Sequence, residues 1–168
     1  MKIIETNRFY LRTFQETDAF HLFSLNSDCE VLKYTGDVPF ETVDDALEFI
    51  KNYRAYLDFG MGRWAVILKE NNAFLGWCGL KYNPKTEQVD LGFRFFQKYW
   101  NKGYATEASK AWLEYGFNTM KIKTMNAYTH AQNGASNHVL QKVGFQFIED
   151  YPDTHGVTWK WWQLHHDL

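Results

Sequence analysis

Val89–Phe117 reads VDLGFRFFQKYWNKGYATEASKAWLEYGF. Its first part alternates: Val89, Leu91, Phe93 and Phe95 fall on one side, Asp90, Gly92 and Arg94 on the other, the period of a strand. Its last part repeats every three to four residues, so that Ala105, Ala108, Ala111, Trp112 and Tyr115 line one face of a helix. Between them lies a short loop, Gln97–Gly103, ending in Asn101-Lys102-Gly103. A strand, a glycine turn and a helix start aim unpaired main-chain N–H groups at an anion, and the helix dipole favours negative charge there.

That geometry suggests phosphate without saying which. Neither G-x-x-x-x-G-K-[ST] nor G-x-G-x-x-G occurs, and Gly60 and Gly62 begin the second pattern only for Ala65 to break it. The plainer reading of 97–108 is a connection in which Gly103 merely permits the turn.

Working outward, 168 residues suit one domain spanning 1–168, with a substantial core. Aromatics are heavy at 18%, with seven Trp, ten Tyr and fourteen Phe, enough for a core and for the walls of a groove. The net charge of −2 and the absence of a basic run argue against nucleic acid as the main partner. Two cysteines, Cys29 and Cys78, stand far apart in no metal-like spacing, which suits a reducing compartment. No segment reaches transmembrane length and the N-terminus lacks a signal-like apolar run, so a cytoplasmic protein without membrane partners is expected.

The spacing predicts a first strand over 7–14 and a short helix over 18–26 capped by Thr17, with a second helical piece at 28–34. Thr42 opens an amphipathic helix with Asp45 at the capping-box position, and its apolar spacing continues through Leu57 to Gly60. Strands follow at 63–69 and 73–82 around a turn at Glu70-Asn71-Asn72, and another turn leads to 88–96. Beyond the central helix, 123–130 is a strand reached through a helix and therefore parallel to 88–96. Asn133–Val143 is a helix ending at Gly144, and 145–150 and 158–165 are closing strands. The expected fold is α/β (α+β), a mixed, mostly antiparallel sheet of about seven strands with helices on both faces.

Two motifs in this order resemble the GNAT acetyltransferases, in particular the branch containing the ribosomal-protein N-terminal acetyltransferases. They are Tyr99-Trp100-Asn101-Lys102-Gly103-Tyr104-Ala105-Thr106-Glu107-Ala108 and Asn133-Gly134-Ala135-Ser136-Asn137 with Leu140-Gln141-Lys142-Val143-Gly144-Phe145. Leu11-Arg12 and the paired helices after it add support. The resemblance implies acetyl-coenzyme A as donor, a primary amine as acceptor, and a sheet splayed between its fourth and fifth strands. It implies that the pyrophosphate rests on Lys102, Gly103, Tyr104, Ala105 and Thr106. The pantetheine arm would run along Phe95, Phe96 and Gln97, where the strands part, usually at a β-bulge. Asn133 and Ser136 match positions near the pantetheine and the sulfur. Trp100 and Ala105 depart from the broad pattern as this branch commonly does, and Asn101, which as a non-glycine residue resists positive φ, stands where the branch often has glycine.

Acetyl transfer needs a neutral amine, a polarised thioester and a stabilised thiolate. Neutralising a lysine-like amine at pH 7 costs roughly 4–5 kcal/mol, and an α-amine only roughly 1. Asp90 is the first candidate for base or amine-orienting carboxylate; the plainer reading is a salt-bridge partner or solvated strand residue. His130 is the second, against a packed or surface histidine. Ser136 can donate a hydrogen bond to the departing sulfur, or cap the helix, or both. The oxyanion donor would be a main-chain N–H near Phe95. Arg12, Arg63 and Arg94 either hold a substrate carboxylate or cover the surface. Trp159 and Trp161 share a face and read as core or as a homodimer contact. Neither the adjacent His165 and His166 nor any cysteine cluster suggests a metal. The chain therefore reads as an acetyl-CoA-dependent N-acetyltransferase acting by direct attack in a ternary complex, its acceptor amine unspecified. The alternative is a non-catalytic acyl-CoA-binding sensor or scaffold.

Overall fold

Among the described residues eight strands join in one open sheet. A computed structural model describes residues 2–166 and sets the strands as β1 (Lys2–Glu5), β2 (Phe9–Arg12), β3 (Trp64–Leu68), β4 (Phe74–Asn83), β5 (Gln88–Phe95), β6 (Thr124–His130), β7 (Gln146–Pro152) and β8 (Thr158–His165). Their spatial order is β1-β2-β3-β4-β5-β6-β8-β7. Among the described residues, only β5 and β6 run parallel. The strand beyond the expected seven is β1. Thr6 N–H and Oγ1–H both donate to Phe9 O, at 2.9 and 3.1 Å, closing a tight turn that folds Lys2–Glu5 onto β2.

The helices α1 (Ala19–Leu25), α2 (Cys29–Leu32), α3 (Val43–Lys51), α4 (Ala55–Phe59), α5 (Tyr104–Asn118) and α6 (Gly134–Lys142) cover the two faces. On one, α5 and α6 bury Ala108, Trp112, Leu113 and Leu140 against Leu80, Leu91, Phe95, Met125 and Trp162. The Trp112 indole N–H donates to Cys78 O at 3.0 Å and fixes α5 across β4. On the other face, α1 and α3 bury Leu22, Leu25, Ala46 and Ile50 against Ala65, Ile67 and Phe74.

Two helix expectations change. Thr17 caps nothing: it lies inside a 3₁₀ turn, Glu16–Asp18, and α1 starts at Ala19. The Asp18 carboxylate is what organises this entry, accepting from Gln15 N–H at 2.8 Å and from Arg12 at 2.6 and 2.8 Å. Thr42 and Asp45 do form the capping box of α3, at 3.1 and 2.9 Å. The helix nevertheless breaks at Asn52 before α4, although the apolar spacing runs on. Tyr53 and Tyr56 turn their hydroxyls to the main chain of Arg63 instead, Tyr53 Oη accepting from Arg63 N–H at 2.8 Å and Tyr56 Oη–H donating to Arg63 O.

β5 and β6 share one paired position, Asp90 opposite Asn126, and part beyond it. The bulge expected on the central strand is absent there, since β4 and β5 pair without interruption from Asn83–Gln88 to Gly76–Phe95. The register shift falls between β3 and β4 instead, near Leu75. Asn126 clamps the parting point: its Nδ2 donates to Val89 O at 3.3 Å, and its Oδ1 accepts from Trp161 Nε1 at 2.8 Å and Gln163 Nε2 at 3.2 Å. Trp161 is thus part of the clamp. The core tryptophan of this strand is Trp162, 3% exposed, its indole N–H on Thr129 Oγ1 at 2.8 Å. Among the described residues, no helix is long and apolar enough to cross a membrane.

Candidate active site

The turn before α5 is built to present main-chain donors. Gly103 holds φ +77 and Asn101 φ +58, both left-handed, and no side chain caps α5. Asparagine tolerates this conformation better than other side chains because its short amide satisfies local groups. The first amides of α5 have no intrahelical acceptor. They border a groove of about 700 Å³ lined by Tyr99, Asn101, Gly103, Tyr104, Ala105 and Thr106 on one side and by Asn133, Gly134, Ser136 and Val139 on the other. Trp100 donates its indole N–H to Phe95 O at 2.8 Å, tying the loop to the end of β5.

A residue the sequence reading missed holds this turn from behind. Arg8 donates to Glu107 Oε2 at 2.6 Å and to Lys102 O at 2.7 Å, and its guanidinium lies 4.3 Å from the Tyr104 ring centre. Its signal, one arginine ahead of a short strand, has no local pattern. Burial pushes the Glu107 carboxyl up, but hydrogen bonds from Thr6 and Arg8, with the Arg8 charge, outweigh it and hold the group below the usual glutamate value. A depressed folded pKa means the contribution is complete above the unfolded value, about 4.3, and is lost as pH falls through the folded one. Arg8→Met should therefore lower the unfolding midpoint at pH 7 and shrink the wild-type advantage as the medium is made acidic. An unchanged difference between the two proteins from pH 7 to pH 3 would remove Glu107 from the brace.

Beyond the Asp90–Asn126 position a second cavity, about 580 Å³, opens on the α1–α3 face of the parting. Its floor is shaped by two glycines. Gly79 and Gly92 pair directly across β4 and β5. A Cβ on Gly79 would stand 2.0 Å from Gly62 O, and one on Gly92 2.7 Å from Arg63 Cζ. Through this trough Arg63 reaches Gly79 O at 2.6 Å, Asp90 O at 3.0 Å and the Asp90 carboxylate. Arg94 donates to Asn26 Oδ1 at 2.6 Å and pairs with Asp37. Both guanidinium groups flank the Trp77 ring, at 5.6 and 5.2 Å.

The groove and the cavity meet: Tyr34, Thr35, Phe93, Arg94, Asn133 and Ser136 line both. Asn133 Oδ1 accepts from Ser136 N–H at 3.1 Å as the cap of α6, which leaves the Ser136 hydroxyl without a hydrogen bond among the described residues. His130 lines the cavity beside Tyr34, and its Nδ1 accepts from Gln132 N–H at 3.1 Å. That bond places the neutral ring's proton on Nε2.

Of the residues expected at the donor site, Phe95, Gly103, Tyr104, Ala105, Thr106, Asn133 and Ser136 line the groove, while Phe96, Gln97 and Lys102 lie outside its lining. Phe96 packs into the second core, its N–H on Leu75 O at 3.1 Å. Asp90 and His130 line the second cavity and not the groove. Arg12 is spent on Asp18, away from both cavities. Trp159 lies outside the core and lines the second cavity, with its indole N–H on Asp153 Oδ2 at 3.0 Å. From 15–40, Leu22, Asn26, Tyr34, Thr35 and Asp37 line this cavity, whereas the 82–88 turn and residues 150–158 take no part in it.

Residues 8–146 match the family model of an acetyltransferase (GNAT) domain. The uncharacterised N-acetyltransferase YoaA of Bacillus subtilis is 29% identical over 146 residues, covering 86% of this chain and 82% of the relative. A GNAT-family acetyltransferase from Bacillus anthracis superposes with a TM-score of 0.85 at 28% identity, over 98% of each chain. RimL, a ribosomal alpha-N-protein acetyltransferase solved in complex with coenzyme A, shares the fold at a TM-score of 0.84 and 12% identity, over 98% of each chain.

Proposed function

Because the chain belongs to the GNAT acetyltransferase family, whose members are acetyl-CoA-dependent N-acetyltransferases, we propose that it acetylates a primary amine by direct attack within a ternary complex. The observation that carries this reading is the junction of two cavities over a parted sheet, one bordered by uncapped helix amides and the other by polar and aromatic side chains. The groove suits a pyrophosphate with an extended tail. Phe96 N–H bonds across to β4, so ladder alternation turns both main-chain groups of Phe93 and the N–H of Phe95 toward the parting, where an amide chain can pair with them.

Bound acetyl-CoA would supply a thioester whose carbonyl the neutral amine attacks; the C–N bond forms, the C–S bond breaks, and the amine's proton passes to a carboxylate or to water. The amides at 103–106 hold the diphosphate. A main-chain N–H at Phe95 faces the developing oxyanion. Asp90, with one carboxylate oxygen on Arg63, offers the other to orient the amine. Ser136 directs its hydroxyl to the leaving sulfur, and His130, with Nε2 protonated, acts as a donor to the acceptor rather than as the base. A cysteine acyl-enzyme has no support. Cys78 is buried, which pushes its thiol up to about 12, and Cys29 lines neither cavity.

Thiol release from acetyl-CoA across a panel of amines tests the reading. On the best acceptor, Ser136→Ala should lower kcat about tenfold to a hundredfold, the worth of one hydrogen bond to a charged group, with coenzyme A affinity little changed. An unaltered kcat would take Ser136 out of the chemistry. Thiol release with no amine in the panel would remove the acetyltransferase reading itself.

A further inference from the structure

Resting on that reading of the site, we infer that the acceptor carries a carboxylate as well as its amine, an amino acid or a metabolite of that kind, and that Arg94 is the residue that selects it. Asp37 occupies the position this carboxylate takes.

The charges lining the acceptor cavity are Arg63, Arg94 and Lys81 against Asp37 and Asp90. Both carboxylates already face a guanidinium group. A polyamine, with several ammonium groups, would therefore find no unneutralised carboxylate here, while an anion meets an excess of cations.

The two pairs differ in a way that assigns their roles. Arg63 is fixed on every side. Its main chain is held by the Tyr53 and Tyr56 hydroxyls, and its guanidinium by two main-chain carbonyls and Asp90 across the glycine trough. Arg94 has a fixed end and an exchangeable one. Its side chain is 10% exposed and bonds Asn26 Oδ1 at the C-terminus of α1, whereas its ionic partner Asp37 is 57% exposed and sits in the irregular stretch between α2 and α3. A nearly buried guanidinium needs an anion, because unpaired burial of a charge costs several kcal/mol. An exposed carboxylate gives up little by returning to water. Substrate carboxylate for Asp37 is thus an exchange of like for like, and guanidinium binds carboxylate in two-pronged fashion.

Position completes the argument. Arg94 lines both cavities, at the junction with Ser136 and Asn133, so an anion bound there lies close to the reacting amine. Trp77, opposite Arg94 on β4, and Tyr34 supply an aromatic wall for the rest of a small molecule.

The test compares each proteinogenic amino acid with its carboxamide, and with spermidine, by thiol release from acetyl-CoA. At least one amino acid should exceed its own carboxamide tenfold or more in kcat/KM, chiefly through KM, and spermidine should be poorer than both. Arg94→Met should bring that ratio toward one, and Arg94→Lys should restore part of it. Asp37→Asn, which keeps Arg94 and removes its stand-in, should lower KM for the amino acid; a merely structural pair would raise it or disturb both substrates equally. Thermal unfolding of each variant separates loss of fold from loss of selection, and Asp37→Asn carries the test if Arg94→Met does not fold. Equal use of acid and carboxamide by the wild type, preference for spermidine, or a ratio indifferent to Arg94 would overturn the inference. Calorimetric titration of the amino acids onto protein saturated with coenzyme A, which has no acetyl group to give, separates the two claims. Carboxylate-dependent binding without turnover of any amine would leave the recognition standing and remove the acetyltransferase reading; no binding and no preference would remove the recognition.

Discussion

Asp18→Ala is expected to cost about 3–5 kcal/mol of stability, the range for stripping one partner from a buried ion pair. Asp18 is 4% exposed and Arg12 14%, joined in two-pronged fashion at 2.6 and 2.8 Å. Asp18 also raises the Arg12 guanidinium above its ordinary value, through the hydrogen bond first and against the pull of burial. The substitution leaves that cation buried without its anion, and leaves Gln15 N–H without its acceptor at the entry to α1. The double variant Arg12→Met with Asp18→Leu removes both charges and should recover much of the loss. Denaturant unfolding of the three proteins measures this. A single-variant loss under about 1 kcal/mol would mean that water screens the pair. Because α1 supplies Leu22 and Asn26 to the acceptor cavity, any weakening should show on the acceptor side before the groove.

Gly103→Val is expected to weaken coenzyme A binding by tenfold to a hundredfold or more. At φ +77 a β-branched side chain is strained by roughly 1–3 kcal/mol, and the added Cβ would also meet Arg8 Nη2 at 3.4 Å. The loop can relieve that strain only by turning, which takes the amides of 103–106 off their common target; each factor of ten corresponds to about 1.4 kcal/mol. Asn101→Gly is the control. It keeps the left-handed turn at φ +58 without a side chain, and should leave affinity within about threefold. Calorimetric titration with coenzyme A reads both, and unchanged affinity in Gly103→Val would place the diphosphate elsewhere.

What was legible in the sequence was what neighbours along the chain decide. The alternation at 89–95, the helical face from Ala105 to Tyr115, the capping box at Thr42 and the C-terminal glycine at Gly144 each express a local period or a local hydrogen bond, and each stands in the structure. Asn101 was read as a residue resisting positive φ, yet it adopts it, because the turn into α5 demands it and asparagine tolerates it. The misreadings share one cause. Lys2–Glu5 is too short to show a period and is a strand only because β2 lies beside it. The 42–60 helix breaks at Asn52, and beyond it Tyr53 and Tyr56 bond the main chain of Arg63, ten and seven residues on, which no helical period encodes. The acceptor cavity was least legible. Arg63 meets Asp90 over 27 residues and Arg94 meets Asp37 over 57, so no window of sequence holds either pair.

The single rung joining β5 to β6 has one more consequence. From Leu91 to Phe95 the central strand turns peptide groups toward a neighbour that has veered away; Phe95 O is met by the Trp100 indole, and every other such group covered by a guest must be given a hydrogen-bonding partner. A hydrocarbon tail laid along that seam would strand them at about 1–3 kcal/mol apiece, whereas a tail punctuated by amides would answer them one by one. The divergence of two strands therefore works as a polarity filter, admitting chains by the spacing of their amides and turning away greasy ones of the same girth.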